Sequence, residues 1–501
     1  MVGCGAMPLS ERSARLLPFT LLFAAGCSEG GGAPLGPASG GAVDSGAAAE
    51  GGDAGEGASG DGEDGGAGAS PACAWDVAGA GEAAGGAASE ELRVPWDWIG
   101  VIGTGQSLAV GQSGTPAQST TQPYNNLQLS TDTLAWPIDP ADPALAMAPL
   151  IEPIGRRSTG YPSSWPENIA GETIHSAMAN QITAMVQAAA GRDYVGVHGE
   201  FGENGQCITR LRKDSVVEGV TGRAFAASLI ATEAVTRLAA AEGKTYGVAA
   251  VTVVHGECDA GNASYEEELL TLRADYDADV KALTAQAEDV VMLVSQQNST
   301  NDRSASTLAQ WRIGLHHPEL FTCVGPTYQY RAALDGTHLH APGYQMLGEK
   351  FGQVYFERVV RGRPWRPLQA LSAERSGGRV IRIRFHVPVP PLVWDEVLQA
   401  PHPSREAWSN GKGFEVRAGT TNAVIESVAI VCDTVEITLA EDLPDTGVWV
   451  SYALYGEAEP RSEPEPGMPR WGLLRDSDPF VGSSTGAAQP NYALAFEFEV
   501  P

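Results

Sequence analysis

Between Arg15 and Arg93 the chain contains no lysine or arginine. Across all 501 residues there are only 32 basic residues against 61 acidic ones, a formal charge of −29. Nucleic-acid partners need basic patches to neutralise phosphate, so that class of function is excluded. Twelve of the acidic residues lie in residues 28–92, which leaves the remainder only moderately acidic and reads as a solubility feature. No CxxC pair occurs, which removes zinc-ribbon and dithiol-redox chemistry. No HExxH is present, and neither His338-Leu339-His340, His316-His317 nor His198-Gly199-Glu200 has a recognised zinc spacing. The glycine-rich stretch Gly103 to Gly111 lacks the lysine of a phosphate loop. No metal or cofactor is therefore expected.

Apolar runs are short as well. Leu16-Leu17-Pro18-Phe19-Thr20-Leu21-Leu22-Phe23 cannot span a bilayer, but with Arg12 and Arg15 before it the run reads as the core of an export signal covering residues 1–26. Its end, Ala24-Ala25-Gly26-Cys27, resembles a bacterial lipobox, which implies lipidation at Cys27 and a lipid-anchored protein of the cell envelope. Ser28 after that cysteine resembles lipoproteins sent to the outer membrane; without lipidation the protein is secreted. Residues 27–92 are mostly Gly, Ala, Ser and acidic, too poor in apolar surface to offset ordering entropy, and are expected to form a disordered tether. Beyond Cys27 the cysteines are Cys73, Cys207, Cys258, Cys323 and Cys432, an odd number that leaves at least one free or paired elsewhere.

Residues 93–363 alternate short apolar runs with helix-length stretches. Strands are expected at Trp98–Ile102, Tyr194–Val197, Tyr246–Val254, Val290–Val294 and Leu320–Val324. Helices are expected at Thr173–Ala190, Thr221–Ala241, Tyr265–Glu288 and Ala341–Val360. The alternation predicts an α/β fold, a parallel sheet sandwiched between helices, with the working residues beyond the carboxyl ends of the strands. Residues 111–170 have no period and read as a long loop placed to build a substrate wall. Residues 364–501 change grammar to short β-rich runs separated by Pro, Gly and Asp, and predict an all-β sandwich-like domain. Its expected role is to pack against the first domain, with Trp471 and Tyr455 as slight hints of a sugar platform.

Four segments carry chemistry. Gly103-Thr104-Gly105-Gln106-Ser107 puts a serine at a tight turn after a strand. Asp335-Gly336-Thr337-His338 puts a carboxylate within reach of an imidazole three residues on. Together they supply a nucleophile, a general base and its orienting acid: Ser107, His338 and Asp335. Gly202-Glu203-Asn204-Gly205-Gln206-Cys207-Ile208 follows the second strand and offers bare backbone amides to an oxyanion, alongside the amide of Ser107. His255-Gly256-Glu257-Cys258-Asp259 follows the third and offers a side-chain donor. Cys207 and Cys258 both fall after strands that end near the site, and a disulfide between them would brace these loops. Glu257, Glu203 and Glu172 read as buried, loop or helix-start carboxylates rather than catalysts.

This set of blocks, in this order, resembles the SGNH (GDSL-like) hydrolase superfamily over about residues 95–362. The Gly-Gln-Ser and Gly-Glu-Cys-Asp forms are most similar to its sialate O-acetylesterase-like and acetylxylan-esterase-like branch. The resemblance implies a flavodoxin-like three-layer α/β/α domain. It implies a Ser107–His338–Asp335 triad and an oxyanion hole from the Ser107 amide and Gly205, with His255 where the branch carries a Gln or Asn side chain. The implied activity is hydrolysis of small acyl esters, O-acetyl above all, on a carbohydrate substrate. Two other functions fit the same residues: a surface polysaccharide-binding lipoprotein with a degenerate hydrolase domain, and a lipase or thioesterase on the same fold.

Overall fold

The computed structural model describes residue 73 and residues 92–131, 137–155, 169–217, 220–221, 223–300, 303–401, 410–456, 461–462 and 466–501. The expected export signal (1–26), Cys27 and, apart from Cys73 and Leu92, the expected tether (27–92) lie outside the described residues.

The first part of the fold runs β1 (Trp98–Gly105), β2 (Leu127–Ser130), β3 (Ala146–Pro149), α1 (His175–Ala190), β4 (Gly196–Glu200), the short α2 (Ile208–Leu211), and a small hairpin of β5 (Val216–Val217) and β6 (Val220–Thr221). It continues with α3 (Arg223–Ala241), β7 (Tyr246–Val254), α4 (Tyr265–Thr284), β8 (Val291–Gln296), α5 (Ala305–His316), β9 (Phe321–Pro326) and α6 (Ala341–Tyr355), which ends in a π-helical turn, Phe356–Val360. One sheet has the order β3-β2-β4-β1-β7-β8-β9. From β2 to β9 neighbouring strands are parallel, and only the edge strand β3 runs antiparallel. The five strands β4-β1-β7-β8-β9 therefore reproduce the doubly wound order whose direction of winding reverses beside β1. α1 packs on α6, while α3, α4 and α5 pack in succession. Right-handed crossovers place those two groups on opposite faces of the sheet.

β1 is buried along its whole length and β7 is buried after Tyr246, as central strands between two helical layers must be. The expected purely parallel sheet is corrected at its edge. The stretch read as an unstructured loop contributes β2 and β3, which extend the sheet beside β4. Each strand is only four residues long; neither LQLS nor AMAP holds a β-branched residue, AMAP ends in proline, and the alternation of LQLS spans the bare minimum for a strand signal. β1 runs on through Gly103 to Gly105, past the stop expected at the first glycine.

The described residues beyond 363 form antiparallel sheets. One contains β10 (Gln369–Arg375), β11 (Val380–His386), β15 (Ile425–Val431) and β16 (Thr434–Leu439), in the order β10-β11-β16-β15. The other contains β13 (Phe414–Ala418), β14 (Thr421–Ala423), β17 (Val448–Tyr452) and β19 (Phe496–Val500), in the order β14-β13-β17-β19. β12 (Val393–Trp394) pairs with β18 (Leu474–Arg475). An α/β part is thus followed by a β part, and one hydrophobic core runs through both. Trp311 of α5 lies 5.1 Å edge-on from Phe498 of β19. Arg470 is fully buried and donates to Leu454 O (3.0 Å) in the β part and to Gln297 O (3.0 Å) and Thr307 Oγ1 (2.9 Å) in the α/β part. Lys350 of α6, also buried, donates to Gln489 O and Asn491 Oδ1. Buried charges placed this way need a fixed interface to stay satisfied. Trp471 is only 2 % exposed and donates to Gln399 O, which rules it out as an exposed sugar platform. Tyr455 is engaged too, with Arg417 over its ring and its hydroxyl on Glu497.

Candidate active site

Ser107 follows the carboxyl end of β1, and His255 follows β7, the strand beside it. Ligands in open α/β sheets bind outside the carboxyl ends where the winding reverses, so this position is the expected one for chemistry. Gly105 makes the turn possible. Its φ is +148°, and a β-carbon there would sit 2.2 Å from the Val254 carbonyl oxygen, so no other residue fits without displacing β7. Gln106 N–H donates to that carbonyl (3.3 Å), and the chain then turns tightly: Ala109 and Val110 N–H reach Gln106 O, and Gln112 N–H reaches Ser107 O (3.0 Å).

The loop after β4 starts as an extension of the sheet, with Phe201 N–H on Gly103 O and Glu203 N–H on Gly105 O (both 2.9 Å). Glu200 Oε1 accepts from Gly202 N–H at 2.5 Å, while its Oε2 pairs with buried His175 Nε2 at 3.0 Å. Glu203 is held by Arg223, which fixes it as a loop carboxylate. Gly205 follows with φ +72° and open space where a β-carbon would lie.

This loop is fastened to the one after β7 by three further ties. Cys207 and Cys258 form a disulfide, Asp259 Oδ2 accepts from Ile208 N–H (2.8 Å), and His255 Nε2 meets Gln206 O (3.0 Å). Gln106 Oε1 joins the Ser107 turn to the same place by accepting from Cys258 N–H (3.2 Å). A carbonyl only accepts, so His255 Nε2 carries the proton. Burial holds the imidazole's pKa below its ordinary value, partly offset by Asp259 and by the Gln206 bond, so the ring is neutral with Nδ1 bare. Tyr265 hydroxyl then donates to Nδ1 (2.9 Å). Both ring nitrogens are thus used inside the protein, on a residue 1 % exposed. α5 locks the same loop from behind, with Gln310 Nε2 on His255 O and Ser306 Oγ on Gly256 O, both 2.6 Å.

Asp335 and His338 lie on the loop between β9 and α6, beyond the last strand's carboxyl end. Asp335 Oδ1 accepts from Thr337 N–H (2.9 Å) and His338 N–H (3.0 Å), and Oδ2 accepts from His338 Nδ1 at 2.7 Å. Partial burial works against the Asp335 charge, but the hydrogen bonds from the His338 ring and from the His338 and Thr337 amides outweigh it, so its pKa lies below the ordinary value. With Nδ1 donating to a carboxylate, the neutral ring presents a bare Nε2, the state needed to take a proton from a hydroxyl. Tyr344, in the first turn of α6, donates to Gln112 O at 2.7 Å. That bond ties the helix following His338 to the turn following Ser107. The β part braces the histidine loop as well, because Ala332 N–H donates to Pro466 O (2.8 Å).

Glu257 follows His255 by two residues, on the loop after β7. Ser299 Oγ donates to its Oε1 (3.2 Å), its Oε2 is buried without a partner, and burial raises its pKa against the opposing charges of His338 and Arg470. Glu172 accepts from Gln118 and Ser119 N–H (2.6 and 3.0 Å) and Ser119 Oγ (2.5 Å), holding the chain that follows the nucleophile turn. Glu152 accepts from Thr173 Oγ1, Ser176 N–H and Ile154 N–H in the same region. Sequence reasoning missed Gln106, Tyr265 and Tyr344 as site-building residues; each acts through one long-range hydrogen bond that no local pattern announces. Among the described cysteines, Cys73 pairs with Cys432, while Cys323 is free and buried. Among the described residues no group of three or more His, Cys, Asp or Glu side chains converges to hold a metal ion.

No known sequence family and no curated protein matches the chain. Solved structures do. A carbohydrate acetylesterase from Xanthomonas citri has a TM-score of 0.46 at 13% identity, covering 80% of this chain and 80% of that one. A protein from Arabidopsis thaliana has a TM-score of 0.38 at 15% identity, covering 53% of this chain and 100% of that one. NanS has a TM-score of 0.31 at 12% identity, covering 53% of this chain and 98% of that one. Scores this low carry no functional argument, which rests on the residues described above.

Proposed function

We propose that the protein is a serine carboxylester hydrolase of the SGNH type that removes small acyl groups, O-acetyl above all, from a carbohydrate. One arrangement carries the reading: an Asp335–His338 pair bonded through Nδ1, on the loop after the last strand, joined through Tyr344 and Gln112 to the turn that holds Ser107 at the reversal of the sheet. In the proposed reaction Ser107 Oγ attacks the ester carbonyl carbon as His338 Nε2 takes its proton. The carbonyl oxygen becomes an anion, met by the Ser107 and Gly205 amides. Collapse breaks the bond to the sugar oxygen, which takes the proton from His338 as it leaves. Water then attacks the acyl-enzyme by the same steps, releasing the carboxylic acid and restoring Ser107.

His255 enters this reading in a changed role. With Nε2 on the Gln206 carbonyl and Nδ1 on Tyr265, it is a positioning residue for the Gly205–Gln206 segment rather than a direct donor to the oxyanion. The disulfides support export to an oxidising compartment, and lipid anchoring through Cys27 remains part of the proposal on the sequence alone.

The deciding experiment is Ser107→Ala in the purified protein, assayed on a chromogenic acetate and on acetylated sugars. Activity should fall on the order of 10³-fold or more; full retention would overturn the reading. The engagement of His255 favours one alternative, a binding protein whose oxyanion hole has lost a donor. A Ser107-dependent adduct with a fluorophosphonate probe would exclude it. A preference for long acyl chains across an ester series would point instead to a lipase or thioesterase.

A further inference from the structure

The amino edge of the sheet, opposite the candidate active site, holds a cavity of about 320 Å³. Pockets for small ligands begin at roughly this size. Its walls come from separate parts of the chain: the arm before β1, the starts of β1 and β8, the Tyr194–Tyr355 hydroxyl pair (2.7 Å), and the π-helical turn after α6. π-turns are uncommon and often shape functional sites.

Two arginines, Arg93 and Arg358, line this cavity. Arg358, on the π-turn, spends Nη2 on the main-chain oxygen of Glu319 (2.7 Å), and its Nε is buried with no partner. Arg93 is anchored by its backbone N–H on Val360 O (2.7 Å), and its guanidinium lies over Gly362. Gly362 has φ +68°, and a β-carbon on it would come within 2.1 Å of Arg93 Cζ, so a glycine at this place makes the room. Neighbouring arginines behave differently: Arg361 pairs with Glu357 at 2.8 Å, and Arg363 lies 3.9 Å from the same carboxylate. Among the described residues neither Arg93 nor Arg358 has an ion-pair partner. Burial and the Arg93 charge push the Arg358 pKa down against the opposing charge of Glu319, a cost that a bound anion would reduce.

The rest of the wall narrows the class of anion. Trp96 lines the cavity, with its ring packed on the bare backbone of Gly247. Glu288, Asp289 and Glu319 also line it, and Asp289 is paired with Lys281. Carboxylates at the rim repel a multiply charged ligand such as phosphate but accept hydrogen bonds from hydroxyls. Aromatic surface beside them suits the apolar face of a sugar ring. We propose that this cavity binds a singly charged, hydroxyl-bearing carboxylate of monosaccharide size, a uronate-type sugar, with its carboxylate between Arg93 and Arg358 and its ring against Trp96.

The test is titration calorimetry of the purified full chain with sodium glucuronate, glucose and inorganic phosphate. Glucuronate should bind saturably, and glucose and phosphate at least about ten-fold more weakly. Arg93→Gln and Arg358→Gln should each weaken glucuronate binding by about ten-fold or more, as loss of a charged hydrogen-bonding partner does. Arg93 is exposed, so Arg93→Gln decides the matter if Arg358→Gln fails to fold. Absence of saturable glucuronate binding, glucose binding as tightly as glucuronate, phosphate binding more tightly than glucuronate, or unchanged affinity in Arg93→Gln would each overturn the proposal.

Discussion

The loops that build the candidate site are held in two contrasting ways. On the oxyanion side, the segments after β4 and β7 are stitched by a disulfide, a buried imidazole and a buried carboxylate, with α5 locking them from behind. On the base side, the Asp335 side chain is 46 % exposed and that of His338 19 %, and their pairing is made within a single four-residue turn. Donors for an anion must be in place before charge develops, whereas a base must exchange protons with substrate and water. The contrast predicts that damage on the base side costs catalysis alone, while damage on the oxyanion side costs catalysis and stability together.

The largest effect is expected from Asp335→Asn. It removes the charge that sets the His338 tautomer, and by analogy with other triads kcat should fall roughly 10³- to 10⁴-fold. Because the carboxylate is half-exposed, the melting temperature should barely move. Steady-state kinetics and a thermal melt on the same preparation measure both. A large drop in melting temperature alongside the kinetic loss would break the proposed division between the two sides.

His255→Ala should give the opposite pattern. It leaves the Tyr265 hydroxyl and the Gln206 carbonyl without their partner in a buried setting, which costs about 1–3 kcal/mol of stability. Release of the Gly205–Gln206 segment should lower kcat on the order of 10²-fold, the size seen when one oxyanion donor is lost, with KM little changed. Unchanged kcat in a folded variant would show that the segment holds its place without the imidazole.

How much of this was legible in the sequence follows the same division. Asp335 and His338 announce themselves because their bond spans three residues and is made inside one turn. β7 matched its expected bounds, Tyr246–Val254, because a long β-branched run between two helical layers has few alternatives. The helix α5 was not foreseen. Its Ser306, Thr307 and Gln310 are buried to serve Gly256, Gln297 and His255, so the sequence shows no apolar stripe facing a polar one. His255 was read as a donor to substrate because its position after β7 was visible and its two partners, 10 and 49 residues away, were not. The β part was foreseen as strands packing against the α/β part, but the buried Arg470 and Lys350 that bond across the boundary were not, because their long-range partners leave no local signal.

The third wall of the site sharpens the comparison most finely, because its brace is neither covalent nor exposed. Glu172 gathers the chain after the nucleophile turn, and burial together with the neighbouring Glu152 raises its pKa from 4.5 to about 7, despite the hydrogen bonds from Ser119 and Gln118. Burial also raises Glu152, against hydrogen bonds from Thr173, Ser176 and Ile154 and the charge of His175. A carboxyl whose folded pKa exceeds its unfolded one binds more protons when folded, so its contribution is fully present below about pH 4.5 and is lost as pH rises through about 7. The difference corresponds to a few kcal/mol, on the order of 3. Denaturant unfolding at intervals between pH 5 and 8 should show stability declining as pH rises, and Glu172→Gln, which cannot ionise, should flatten that decline. The Cys207–Cys258 brace does not titrate, so reduced protein should keep the same pH slope at a lower overall stability. An equal slope in Glu172→Gln and the parent protein would mean that proton binding at Glu172 is not what holds the Gln118–Ser119 segment in place.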